Sequence, residues 1–112
     1  MKIIWSDFSA DMLVEIFNYY KENTSYSVGK KIKTNIFKAT MQLIKYPASG
    51  QIEESLKHLG EEHRYLIESN YKIVYKQVNE GVLITDIFDT RQDPTKINDL
   101  SRKSGQQDKK RF

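Results

Sequence analysis

RYLIE at 64–68, YKIVYKQV at 71–78 and VLITDIFD at 82–89 follow one another with only Ser69-Asn70 and Asn79-Glu80-Gly81 between them. The three runs are rich in Tyr, Ile and Val, residues that fit a pleated, half-buried surface. The short gaps hold the Asn and Gly that tight turns require. Three strands joined this way form an antiparallel meander. Upstream, residues 2–5 (KIIW) are short, apolar and β-prone and are expected to join the same sheet.

The period changes after Trp5. Ser6 is a candidate N-cap, and Asp7 and Asp11 suit the positive end of a helix. Phe8, Met12, Leu13, Ile16, Phe17 and Tyr20 then form a one-sided apolar stripe that predicts a helix ending near Asn23. A second helix starts at Ser25 or Ser27, with Val28, Ile32, Ile36, Ala39 and Leu43 at three- or four-residue steps. Tyr46 precedes Pro47, which disfavours helix there, and Pro-Ala-Ser-Gly at 47–50 reads as a loop. The connection between the helices is short, so they are antiparallel. The order is β, α, α, β, β, β: an α+β fold with a two-helix hairpin packed on one face of a mainly antiparallel sheet. A further short helix is expected within 94–100.

With 112 residues, one domain is expected over 1–100, able to bury roughly two-thirds of its unfolded surface. Residues 101–112 carry five basic residues against Asp108 and read as a basic tail, unstructured unless bound. The net charge is +3, of which the tail holds +4. Residues 23–52 hold Lys30, Lys31, Lys33, Lys38 and Lys45 and no acid, while 53–62 hold four glutamates against Lys57. Such blocks suit either charged partners or a solvated face. The absence of cysteine excludes a disulfide scaffold, a thiolate zinc site and a cysteine nucleophile. Apolar runs are too short to cross a membrane, and the first residues turn acidic at Asp7. A soluble, cytoplasmic protein is expected.

Few residues suggest chemistry. Gly29-Lys30-Lys31 lacks the other glycines of a phosphate loop, and no serine sits in a nucleophile elbow. His58 and His63 depart from the spacing of a helical zinc motif and read as surface histidines near a turn, so no metal or other cofactor is expected. Tyr19, Tyr20, Tyr65, Tyr71 and Tyr75 read as core or half-buried residues rather than a stacking platform. Arg64, Lys72, Lys76 and Arg91 are the cations around the sheet, and Glu54, His58, His63 and Glu68 are the groups able to move protons.

Ile3-Ile4-Trp5-Ser6 opening a helix, Pro47 with Gly50, Leu56-Lys57-His58-Leu59-Gly60, His63-Arg64-Tyr65-Leu66, Tyr71-Lys72-Ile73-Val74-Tyr75 and Arg91-Gln92-Asp93-Pro94 occur in that order. In this the chain resembles the RelE/ParE superfamily of bacterial toxins from type II toxin–antitoxin (plasmid stabilisation) modules, over residues 1–100. The resemblance implies a growth-arresting toxin held inactive by a cognate antitoxin. RelE-like members cut messenger RNA on the ribosome without metal, as mRNA interferases; ParE-like members poison DNA gyrase.

For the nuclease branch, the resemblance places Glu54 as general base, with Arg64, Lys72 and Arg91 as the remaining site residues. It departs from that branch where Lys72 replaces an arginine, where Leu66 and Ile67 replace strand arginines, and where Thr90-Arg91-Gln92 stands in place of a terminal His-Tyr. The ParE-like pattern fits better, with Arg64, Lys72 and Arg91 either structural or facing the target. A family member that only binds a partner is the third reading. The basic run Lys30, Lys31, Lys33 and Lys38 is the expected antitoxin-binding surface.

Overall fold

The computed structural model describes residues 1–102 and the backbone of 103 and 109–110. Strand β1 (Lys2–Ser6) leads directly into helix α1 (Asp7–Asn23), and Ser6 caps it, its Oγ accepting the Ser9 amide at 3.1 Å. Ser9 Oγ donates in turn to the Ile84 carbonyl at 2.8 Å, so the cap also fastens the helix to the sheet. Ser25 caps α2 (Tyr26–Ala39) through the Val28 amide. The second stripe reaches Leu43 as expected, but the helix tightens at Thr40 into a 3-10 turn over Thr40–Ile44, where the Thr40 hydroxyl donates to the Phe37 carbonyl at 2.6 Å.

Among the described residues the sheet has six strands, in the order β2 (Gln51–Ile52), β3 (Arg64–Glu68), β4 (Tyr71–Val78), β5 (Gly81–Asp89), β1 and β6 (Lys109–Lys110). The meander is β3 (Arg64–Glu68), β4 (Tyr71–Val78) and β5 (Gly81–Asp89), and β1 lies parallel to β5 with Lys2 opposite Gly81. Gly81 has φ +151°, and a Cβ there would stand 2.3 Å from the Lys2 carbonyl oxygen, so this close pairing requires glycine. Two strands of two residues each escape sequence reading: β2 (Gln51–Ile52) beside β3, and β6 (Lys109–Lys110) beside β1. The 3-10 turn at Glu54–Leu59 escapes it as well. No helix among the described residues is long and apolar enough to cross a membrane.

The hairpin buries Leu13, Ile16 and Ile36 against Trp5, Ile73, Tyr75 and Ile84. The opposite face is also covered. Leu56, Val74, Phe88 and Ile97 form a second, smaller core there, roofed by the turns Glu54–Leu59 and Pro94–Asn98. A β-bulge makes the two faces compatible. The β4–β5 register shifts between Val74 and Tyr75, leaving Thr85 as the extra residue. Val82 and Ile84 face the hairpin before it and Ile87 after it, while Phe88 packs on the far side. Part of the expected tail, 104–108 and 111–112, lies outside the described residues. Within them the expectation is corrected: Leu100–Lys103 form a helical turn (α3), and Arg102 is held at the sheet by Asp86.

Candidate functional site

Lys72 sits on the far face of β4, its ammonium 2.6 Å from Glu53 Oε1 and 4.3 Å from the centre of the Tyr65 ring. Glu53 is buried and caps the Glu54–Leu59 turn, its Oε2 accepting from Ser55 Oγ at 2.8 Å. Burial pushes the Glu53 carboxyl up, but hydrogen bonds from Lys72 and Ser55 outweigh it and hold the group below its ordinary value. The neighbouring Glu54 is 74% exposed and lies 3.7 Å from Lys57. Glu54 and Lys72 line one cavity of about 280 Å³ with Phe88 and Ile97.

Arg64 is elsewhere. Its Nη1 donates to the carbonyls of Gly50 at 2.9 Å and Ala48 at 3.3 Å, clamping the 47–50 loop onto β3. The loop approaches closely because Gly50 has no side chain: its amide donates to the Tyr75 hydroxyl at 2.9 Å, and a Cβ would lie 2.7 Å from that oxygen. Arg91 follows β5 and grips Asp89 with Nε at 3.0 Å and Nη2 at 2.8 Å. The pair holds Asp89 below the usual carboxylate range and Arg91 above its own. Arg91 remains 61% exposed beside a groove of about 480 Å³ that Met12, Ile16, Tyr19 and Tyr71 also line. Of the four residues implied for a nuclease site, Glu54 and Lys72 share a cavity, and Arg64 and Arg91 do not line it.

The α2 lysines divide. Lys30, Lys31 and Lys38 are exposed along a shallow groove of about 530 Å³ with Tyr26, Thr34 and Asn35. Lys33 turns toward α1 and lies 5.6 Å from the centre of the Phe17 ring. Tyr71 and Tyr75 are buried and Tyr65 is half-buried, whereas Tyr19 is exposed. His58 is exposed, in keeping with its surface reading, but that reading is corrected for His63, which is buried and whose carbonyl accepts the Glu53 amide at 2.8 Å. No group of three His, Cys, Asp or Glu among the described residues is placed to hold a metal. Sequence reasoning missed Glu53 and Asp86, the two buried carboxylates among the described residues. An acid inside the apolar run VLITDIFD was the available signal for Asp86.

A two-helix hairpin on a mostly antiparallel sheet, with the first strand parallel to the last strand of a meander, defines a RelE/ParE-like toxin domain. The family described as ParE toxin of type II toxin-antitoxin system, parDE, matches residues 3–94, and the chain belongs to it. It is thus the toxin of a type II toxin–antitoxin module, and the family implies a cognate antitoxin as partner. No curated protein matches the chain.

Proposed function

We propose that the protein, freed from its antitoxin in the cytoplasm, arrests growth by poisoning DNA gyrase. One observation carries this reading: the cations available for phosphate chemistry are dispersed and already engaged. Metal-free cleavage of RNA needs a base, an acid and cations converging on one phosphate. Here Lys72 is paired with buried Glu53, Arg64 is spent on loop carbonyls, and Arg91 lines a different cavity. Arg91 is the cation suited to a protein target, because Asp89 fixes its guanidinium while most of it stays exposed. Arg64 and Lys72 then support the site's architecture. The antitoxin docks on Lys30, Lys31 and Lys38 of α2, with Lys33 adding charge from the side.

The test is a pair of assays on purified protein: gyrase-linked DNA breakage, and cleavage of message on ribosomes. Arg91→Ala is expected to weaken gyrase poisoning about tenfold. Glu54→Ala is expected to leave it intact. Codon-specific message cleavage by the wild type, abolished by Glu54→Ala in a folded protein, overturns the proposal in favour of the ribonuclease. Absence of growth arrest on induction overturns it in favour of a partner-binding role.

A further inference from the structure

The far face of the sheet carries a second built site, unrelated to the groove beside Arg91. Arg102 is folded into it. Its Nε donates to Asp86 Oδ2 at 2.9 Å and its Nη2 to Oδ1 at 2.6 Å, with the Ile87 carbonyl 3.4 Å from Nη2. The guanidinium carbon lies 5.2 Å from the centre of the Phe8 ring and 5.0 Å from that of Phe88. The Arg102 side chain is 12% exposed and that of Asp86 6%. A carboxylate that meets the planar fork with both oxygens, with two aromatic rings nearby, matches arginine and not the point charge of lysine.

The walls and the occupant have different footing. Asp86 and Phe88 belong to β5, in the centre of the sheet, and Phe8 to the first turn of α1. Asp86 faces this way because the bulge at Thr85 shifts the alternation of the strand; without it Asp86 would point into the hairpin core with Ile84. Arg102 comes from the four-residue turn Leu100–Lys103, which packs against Pro94–Asn98 and leaves Leu100 79% exposed. Asp86 and Phe88 are therefore buried in the sheet and Phe8 is half-buried on a long helix, whereas the occupant sits on a short peripheral element, the kind that opens at least cost. Burial raises the Asp86 carboxyl, and the hydrogen bonds and charge of Arg102 offset only part of that.

We propose that Asp86, Phe8 and Phe88 form an arginine receptor which the chain fills in cis with Arg102, and which accepts an arginine side chain of another polypeptide when the Leu100–Lys103 turn is displaced. The ligand class is a guanidinium on a flexible stem. The C-terminal turn then acts as a plug that a partner competes against by mass action.

The experiment empties the receptor in the full chain with Arg102→Ala and offers small probes. Agmatine, which carries a guanidinium, is expected to raise the melting temperature of Arg102→Ala in a saturable way. Putrescine, with an ammonium in its place, is expected to leave it unchanged, and neither is expected to move the wild type. An Asp-Leu-Ser-Arg-Lys peptide is expected to bind Arg102→Ala at least tenfold more tightly than its Arg-to-Lys counterpart. If Arg102→Ala does not fold alone, refolding with agmatine and not with putrescine supports the receptor. Equal effects of the two amines, failure of agmatine to act on Arg102→Ala in either setting, or an undiminished agmatine effect in Asp86→Asn/Arg102→Ala overturns it.

Discussion

Glu53 and Asp86 are both buried carboxylates with a cation attached, yet they respond to pH in opposite senses. Glu53 titrates below its ordinary value of 4.5 in the folded state. Its contribution is therefore complete above that value and is lost as the pH falls through the lowered one. Asp86 titrates above its ordinary 3.8, so its ionised form opposes folding and stability declines as pH rises through the raised value. Glu53→Gln should cost about 1–3 kcal/mol at pH 7, since a charged hydrogen-bond acceptor is lost to Lys72 and Ser55. Urea unfolding at pH 7 and at pH 3.5 checks this: the gap between variant and wild type should narrow in acid. Gly81→Ala should be costlier than an ordinary surface change. Backbone strain at such a φ costs about 1–3 kcal/mol, and the contact with the Lys2 carbonyl adds to it. Thermal melting should show a fall of about 4–8 °C for each kcal/mol in a domain of this size.

The helices and long strands were legible in the sequence because their buried faces repeat. Ile16 and Ile36, picked from the helical stripes, are 8% and 1% exposed. Ile16→Asp or Ile36→Asp should abolish the cooperative thermal transition, because an unpaired buried charge costs several kcal/mol against a total stability of about 5–15 kcal/mol. A normal melting curve for either would show that the stripe does not face the core. The two-residue strands were not legible, since Gln51–Ile52 and Lys109–Lys110 are too short to display alternation. The bulge left a faint trace, the three-residue step from Ile84 to Ile87 inside a two-residue pattern. The site residues show a similar split. Composition names Arg64, Lys72 and Arg91 as cations, but their partners depend on which strand ends and loops the fold brings alongside. Arg64 meets Gly50 across 14 residues and Lys72 meets Glu53 across 19, and no local pattern records either pairing.

At the scale of the molecule, charge is segregated rather than balanced. The α2 lysines stand in a stretch of 30 residues, 23–52, without one acid. Association with an acidic antitoxin should then be steered by the field of that face. Stopped-flow binding should show an association rate that falls about tenfold between low and high salt, as the screening length shrinks from about 30 Å to about 3 Å. A salt-independent rate would assign the docking to apolar contacts instead. The parallel pair of β1 and β5 has a consequence of another kind. Lys2 leaves the ribosome 79 residues ahead of its partner Gly81. At about 5–20 residues per second that is a wait of about 4–16 s. Throughout it Ile3, Ile4 and Trp5 lack the β5 residues they lie against, and the hairpin has at most the earlier strands of the meander to cover. The nascent chain thus carries no finished toxin surface until the last long strand is made.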